Sequence, residues 1–368
     1  MSHITRHLRR ALSTTAGTST GTSVAAPRVV FSGIQPTGVP HLGNYLGALR
    51  TWADIQASAS ADTQLIFSIV DLHAITQPQA AETLRKARRE TLATILAVGI
   101  DPERCTLFEQ SRVPHHAELM WILSCGASTG YLSRMTQWKS KLGVKEDVNA
   151  FEGKSTAKLK LGLFSYPVLQ AADILVHRAT DVPVGEDQVQ HLEFTREIVG
   201  TFHSSYGEVF PLPKTILSPA RRVMSLRDPL QKMSKSDPQP LSRILLTDGP
   251  DTIWEKLKKS MTDSELGVSY DPKNRPGVSN LIEIYAHMQR RDDFGAIAQE
   301  WENLEKKELK MRVAECISEG LKPVREEYER IMKEGDGYLD KIAEKGAAKA
   351  RESAEKTMVL VRKAMGLA

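Results

Sequence analysis

The 368-residue sequence has no long apolar run. Nothing in it approaches the ~18 apolar residues of a membrane-crossing helix, so no transmembrane segment is expected. Cysteine is scarce, with only Cys105, Cys125 and Cys316. The odd number argues against a disulfide framework, and the spacings match no zinc pattern. Small buried hydrophobes in a reducing compartment are the expectation. No internal repeat is visible, which argues against a solenoid or propeller. A Walker-type phosphate loop is also missing: Gly153-Lys154-Ser155 resembles its end, but the glycine it requires falls at Val148. His115 and His116 have no accompanying ligand cluster. Adjacent side chains diverge on a helix, so a helix-start or surface role is expected and no metal site.

Residues 1–28 contain Arg6, Arg9, Arg10 and Arg28 but no Asp or Glu. These four arginines equal the whole net charge of +4, so the remainder is close to neutral. Serine and threonine crowd the stretch from Ser13 to Ser23. An arginine- and serine-rich, acid-free start has the composition of an organelle transit peptide, with the mitochondrion as destination; a plain disordered tail is the alternative. A nucleic-acid partner would have to be held by a local basic face, because overall charge supplies nothing.

What remains is ordinary in amount. The chain is 41% hydrophobic and 26% charged, as in soluble globular proteins, and is long enough for two domains. Strand patterns at Arg28–Gly33, Gln64–Val70 and Arg104–Gln110 alternate with helical patterns from Gly43, over Ala80–Val98 and from His115. That alternation predicts an α/β domain with a Rossmann-type parallel sheet, its ligands beyond the strands' carboxyl ends. Glu146–Lys160 reads as a polar loop, and Tyr166–Val176 and Glu186–Val199 as helices. Beyond about residue 275 the pattern is helical: Val278–Met288, Phe294–Leu304, Met311–Leu321, Val324–Met332 and a long Tyr338–Met365. The expected division is 1–28 leader, 29–240 α/β catalytic domain and 241–368 mostly helical domain.

Two motifs carry chemistry. His41-Leu-Gly-Asn44 sits at the first strand-to-helix turn, where Gly38 and Gly43 allow close backbone approach. A helix beginning there points N–H groups and its positive dipole end at an anion such as phosphate. His41 and Asn44, three apart, are expected to face the same phosphates. Far downstream, Lys232-Met-Ser-Lys-Ser236 lies between Pro229 and Pro238. Two lysines and two hydroxyls on one loop suit a clamp that neutralises charge on a leaving pyrophosphate.

The two motifs together resemble those of the class I aminoacyl-tRNA synthetases. Phe31-Ser-Gly-Ile-Gln-Pro-Thr-Gly38, Val70-Asp-Leu-His-Ala-Ile-Thr76, Arg134-Met-Thr-Gln137, Gln170-Ala-Ala-Asp-Ile-Leu175, Val182-Pro-Val-Gly-Glu-Asp-Gln188, Tyr270-Asp271 and Pro276-Gly277 resemble the tryptophanyl members, in particular the organelle form. The resemblance covers residues 29–368. It departs from the class pattern at Asn44, where the class has a second histidine, and in the charged segment 139–160.

The resemblance implies roles residue by residue. His41, Asn44, Lys232 and Lys235 would be catalytic. ATP would meet Gln35, Gly43, Asn44, Gly185, Glu186, Asp187, Val223 and the loop Lys232, Met233, Ser234, Lys235 and Ser236. L-tryptophan would meet Phe31, Tyr166, Gln170, Asp173 and Gln188. A carboxylate at Asp173 accepting the indole N–H would contribute about 1.5–3 kcal/mol. An unpaired buried acceptor rejects wrong ligands by up to ~10⁴–10⁵. The resemblance further implies Mg²⁺ brought with the nucleotide, tRNA(Trp) as partner, a homodimer and the mitochondrial matrix as location. From Lys341 onward seven basic residues face three glutamates; from charge alone this fits an RNA-facing helix and a solvated face equally, and the resemblance favours the anticodon. A tyrosyl enzyme, a small-molecule nucleotidyltransferase and a non-catalytic RNA-binding descendant are the competing readings.

Overall fold

The computed structural model describes residues 27–143, 159–217, 223–235 and 237–368. The expected leader up to residue 26, most of the 146–160 loop and Ser236 lie outside the described residues. Five strands form one parallel sheet: β1 (Val29–Ile34), β2 (Gln64–Ile69), β3 (Thr106–Glu109), β4 (Asp181–Val184) and β5 (Lys214–Leu217), in the order β3-β2-β1-β4-β5. The chain winds outward from β1 to β3, then crosses back to lay β4 on the other side of β1. The connections diverge there and leave a crevice above the carboxyl ends of β1 and β4.

The apolar strand runs arise because both faces of the sheet are covered. The pleat sends alternate side chains to opposite cores. Val30, Leu65, Phe67, Ile69 and Leu107 enter one hydrophobic cluster, whereas Val29, Phe31, Ile66 and Phe108 enter the other. The longer helices among the described residues are α1 (Arg50–Ser58), α2 (Ala81–Ala97), α3 (His115–Ser124), α4 (Leu161–Leu175), α5 (Val189–Tyr206), α6 (Pro250–Lys258), α7 (Pro276–Met288), α8 (Lys306–Lys333) and α9 (Asp336–Met365). The first cluster takes side chains from α1, α2, α6, α7 and α8, the second from α3, α4 and α5. The predicted α/β sheet with a helical C-terminal region is the fold observed.

The last helix ties the two cores together. Leu339 and Ala343 of α9 join the first cluster, and Ala347, Ala350, Ala354, Met358 and Val361 the second. The helix lies against β3, closest at Gly346, where a Cβ would stand 1.7 Å from the Leu107 carbonyl oxygen. It thereby shields an edge strand.

Three local expectations change. Met311–Leu321 and Val324–Met332 are one continuous helix, α8, because Pro323 lies on its exposed face between buried Leu321 and Val324; the N–H that proline lacks is missing where water, not the core, faces the backbone. β4 and β5 escaped the sequence reading because each has only four residues and β4 contains Pro183. His116 is fully buried on the inner face of α3, not at the surface, although α3 does begin at His115.

Candidate active site

A cleft of about 260 Å³ opens at the crevice between β1 and β4. Phe31 on β1, Gln35 after it, Tyr166, Gln170 and Asp173 on α4, and Gly185 and Gln188 after β4 all line it. The tryptophan residues named above therefore share one wall system with two of the ATP residues. Gly47 and Ala48 line it too, on a π-helical turn (Tyr45–Leu49) that leads into α1. Such turns displace side chains from the regular helical positions and occur often at functional sites.

Asp173 is only 1% exposed. Its Oδ1 accepts from Gln110 Nε2 at 2.5 Å and pairs with His116 Nδ1 at 2.7 Å; Oδ2 pairs with His73 Nε2 at 2.8 Å. Burial alone would raise its pKa, but the hydrogen bonds from His116 and His73 outweigh burial and hold it at about 2. An ionised carboxyl accepts about four hydrogen bonds. Among the described residues three are made, and the open position lies on Oδ2. Gln110, His73 and His116 received no role from the sequence. For His116 a signal existed: it stands three and seven residues before Leu119 and Leu123, on the face α3 buries.

A closed ring of polar side chains frames the rest of the cleft. Tyr166 donates its hydroxyl to Gln137 Oε1 at 2.9 Å and lies 3.4 Å from His191 Nε2. His191 Nδ1 meets Gln170 Oε1 at 2.7 Å, Gln170 donates to Gln188 Oε1 at 3.1 Å, and Gln188 donates to Asp187 Oδ2 at 3.0 Å. Gln137 Nε2 closes the ring on the Asp187 carbonyl at 2.6 Å. Burial, with help from His73 and Lys141, lowers the His191 pKa to about 4, so its ring is neutral. Burial and the nearby Asp187 carboxylate raise that of Tyr166. Gln137 and His191 were likewise given no role from the sequence.

The Lys232–Ser236 loop reaches both motif regions. Val223–Ser225 pairs antiparallel with Gln231–Met233 through Met233 N to Val223 O at 3.0 Å and Ser225 N to Gln231 O at 2.8 Å, and Met233 is buried. Lys232 Nζ lies 3.5 Å from Asp187 Oδ1, so the lysine loop joins the polar ring. Lys235 donates to the Thr37 carbonyl at 2.8 Å, beside Gly38, whose φ of +85° suits glycine. Burial lowers the Lys235 pKa to about 8, with Glu90 opposing and Arg243 reinforcing.

The first motif is held by a pair of bonds of its own. His41 and Asn44 face each other. The His41 ring accepts from Asn44 N at 3.3 Å, and Asn44 Oδ1 accepts from His41 N at 3.1 Å, a reciprocal cap of the helix start. Leu42 N is bonded to the Ile244 carbonyl at 2.8 Å. Burial, then Lys235, Lys232 and Arg243, lowers the His41 pKa to about 3, so the ring is uncharged. Val223 packs near Gly43, with 3.6 Å between its Cβ and a Cβ placed on the glycine. His41, Gly43, Asn44, Val223 and Met233 are not among the residues that line the cleft, and Glu186 is exposed in the turn after β4.

The sequence profile of the family described as "tRNA synthetases class I (W and Y)" matches residues 24–322. The mitochondrial tryptophan--tRNA ligase of Saccharomyces cerevisiae is 48% identical over 345 residues, 92% of this chain and 90% of that protein. That of Schizosaccharomyces pombe is 42% identical over 353 residues, 94% of this chain and 97% of that one. A crystal structure of tryptophanyl-tRNA synthetase from Campylobacter jejuni, complexed with ADP and tryptophan, superposes with a TM-score of 0.73 at 31% identity, covering 92% of this chain and all of that one. The chain belongs to the class I tRNA synthetases of the W and Y family, among the tryptophan--tRNA ligases.

Proposed function

We propose that this enzyme uses ATP to convert L-tryptophan to tryptophanyl-adenylate and transfers it to tRNA(Trp) in mitochondria. The observation that carries the reading is Asp173, an ionised carboxylate in the wall of the cleft with one acceptor position unused among the described residues. Indole offers the matching N–H, with Phe31 packing its ring. Phenylalanine has no such donor and would leave Oδ2 under-satisfied. Tyr166, Gln170 and Gln188 hold the amino and carboxylate groups. Gln35, Gly43, Asn44, Gly185, Glu186, Asp187 and Val223 serve ATP.

The substrate carboxylate attacks the α-phosphorus in line and pyrophosphate departs. No protein nucleophile is needed, so catalysis is positioning plus charge stabilisation. Lys232, Lys235 and the hydroxyls of Ser234 and Ser236 meet the phosphates as they turn from Asp187 and the Thr37 carbonyl. The uncharged His41 orients the first turn, and an incoming phosphate competes with its ring for the Asn44 N–H. Among the described residues no group of three or more His, Cys, Asp or Glu is arranged to hold a metal ion. Mg²⁺ in this reading comes with the nucleotide, held by phosphates and water. The 2′-hydroxyl of the terminal adenosine then attacks the carbonyl carbon of the adenylate, forming the ester as the bond to the phosphate oxygen breaks and AMP leaves.

Residues 29–240 carry activation, and 241–368 contribute to RNA binding, within a homodimer in the matrix. Trp121, 72% exposed on α3, offers apolar surface for such a dimer. The charge argument for α9 is weaker than its composition implies. Lys345, Arg351, Lys356 and Arg362 are ion-paired within the molecule, and Lys349 donates to the Pro102 carbonyl. No helix among the described residues is long and apolar enough to cross a membrane. Tryptophan-dependent exchange of pyrophosphate into ATP tests the core of the proposal. Exchange with tryptophan at least a hundredfold faster than with tyrosine is the expected result; absence of exchange, or preference for tyrosine, refutes it.

A further inference from the structure

A second set of buried groups runs away from the cleft behind Asp173. His116 Nε2 lies 3.3 Å from His177 Nε2, and His177 Nδ1 lies 3.1 Å from Ser353 Oγ. His116 and His177 are both buried. Asp173, His116, His177 and Ser353 thus form a line from the tryptophan cleft, through the two residues on α3 and just after α4, to the last helix. His177 also stacks on Phe31, with ring centroids 5.8 Å apart and planes at 22°. It therefore supports two residues of the cleft wall.

The Asp173 end of this line has a fixed polarity. Asp173 is ionised and can only accept, so His116 must carry its proton on Nδ1. With that as its one ring proton, Nε2 of His116 is an acceptor, and His177 donates from its Nε2. That leaves His177 Nδ1 as an acceptor, to which, among the described residues, the Ser353 hydroxyl donates. Burial, then His116, lowers the His177 pKa well below the usual histidine range, which keeps it neutral. The plane of an aspartate carboxyl is otherwise soft, because its terminal torsion has broad minima. Oδ2, the oxygen with the open position, is aimed only as well as Oδ1 is held.

We infer that His116 and His177 are positioning residues for tryptophan selection, with Ser353 anchoring them to α9, so that docking of the last helix sets the aim of Asp173. The inference rests on the indole-reading role of Asp173. A shift of α9 relaxes Ser353, then the His116 tautomer, then the carboxylate. The ATP side of the cleft, reached through Asp187 and the lysine loop, is not part of this line.

The test uses the full chain and three variants: His177→Phe, which keeps the ring on Phe31 but removes both nitrogens, Ser353→Ala, and the double variant. In pyrophosphate exchange, His177→Phe raises KM for tryptophan about tenfold and Ser353→Ala about threefold, with KM for ATP within about twofold of the parent; the double variant is no worse than His177→Phe, because one line is cut twice. An unchanged tryptophan KM, equal rises for both substrates, or additive losses overturn the inference. Histidine ¹⁵N spectra of the parent protein give an independent readout: His116 is expected as the Nδ1–H tautomer and His177 as Nε2–H. The opposite assignment for His116 refutes the line even if His177→Phe fails to fold. A parent that shows these tautomers but no tryptophan-dependent exchange refutes the tryptophan reading instead.

Discussion

Replacing Asp173 with asparagine puts one amide NH₂ where an oxygen now accepts. In one orientation the NH₂ takes the Oδ1 position and confronts two donors, Gln110 Nε2 and His116 Nδ1. In the other it takes the Oδ2 position and confronts His73 Nε2 alone. His73 can shift its proton to the other nitrogen and accept, whereas the Gln110 amide nitrogen cannot. The second orientation is therefore preferred, and it turns a donor toward the indole N–H. Tryptophan loses a charge-assisted bond of about 1.5–3 kcal/mol. At about 1.4 kcal/mol per factor of ten, the loss is roughly ten- to a hundredfold in affinity. Calorimetric titration with tryptophan and, separately, with ATP measures it. Tryptophan binding weakens by that factor and ATP binding changes by less than about twofold. Equal losses for the two ligands, or less than a threefold loss for tryptophan, would refute the reasoning and make Asp173 a structural residue.

Three further outcomes follow from the geometry. Gly346→Ala forces a Cβ onto the Leu107 carbonyl, so it destabilises the protein by about 1–3 kcal/mol and lowers the unfolding midpoint in denaturant; an unchanged midpoint shows that α9 does not dock as described. His41 and His191, with pKa values lowered to about 3 and about 4, stay neutral in the fold while the unfolded chain takes up protons below about 6.5. Their contribution is complete above that pH and falls as pH drops toward 4, by up to about 1.4 kcal/mol per pH unit for each histidine; urea titrations between pH 7 and 5 on the parent and His191→Gln should differ by one such slope. Lys235, with its pKa lowered to about 8, loses its charge in the free enzyme above that pH, so kcat/KM for ATP falls through pH 8. Lys235→Arg, always charged, should flatten that limb, and an unaltered profile would rule out the assignment.

Much of this protein is written locally. The buried runs Val29–Ile34 and Gln64–Ile69 read as strands covered on both sides, and their alternation with helical patterns dictates a parallel sheet. The ordered strings around His41, Asp173, Gly185 and Lys232 mark the family. At His41 and Asn44 local pattern stopped short: a three-residue spacing brings two side chains to one face, but the reciprocal cap they make with each other depends on rotamers. It also left β4 unseen, because four residues with a proline carry too little periodicity to identify a strand.

By itself, then, the sequence determined the fold class and the family and singled out Asp173 as the candidate reader of the indole, since each depends on neighbours a few residues away or on a string of residues in order. Only the tertiary structure decided how that carboxylate is held. Its donors come from residues 57, 63 and 100 positions distant, the polar ring gathers side chains from four separate segments, and Ser353 reaches His177 across 176 positions. Periodicity states which face of an element is buried and never which other face it meets, and a hydrogen bond between buried side chains exists only once that meeting is fixed.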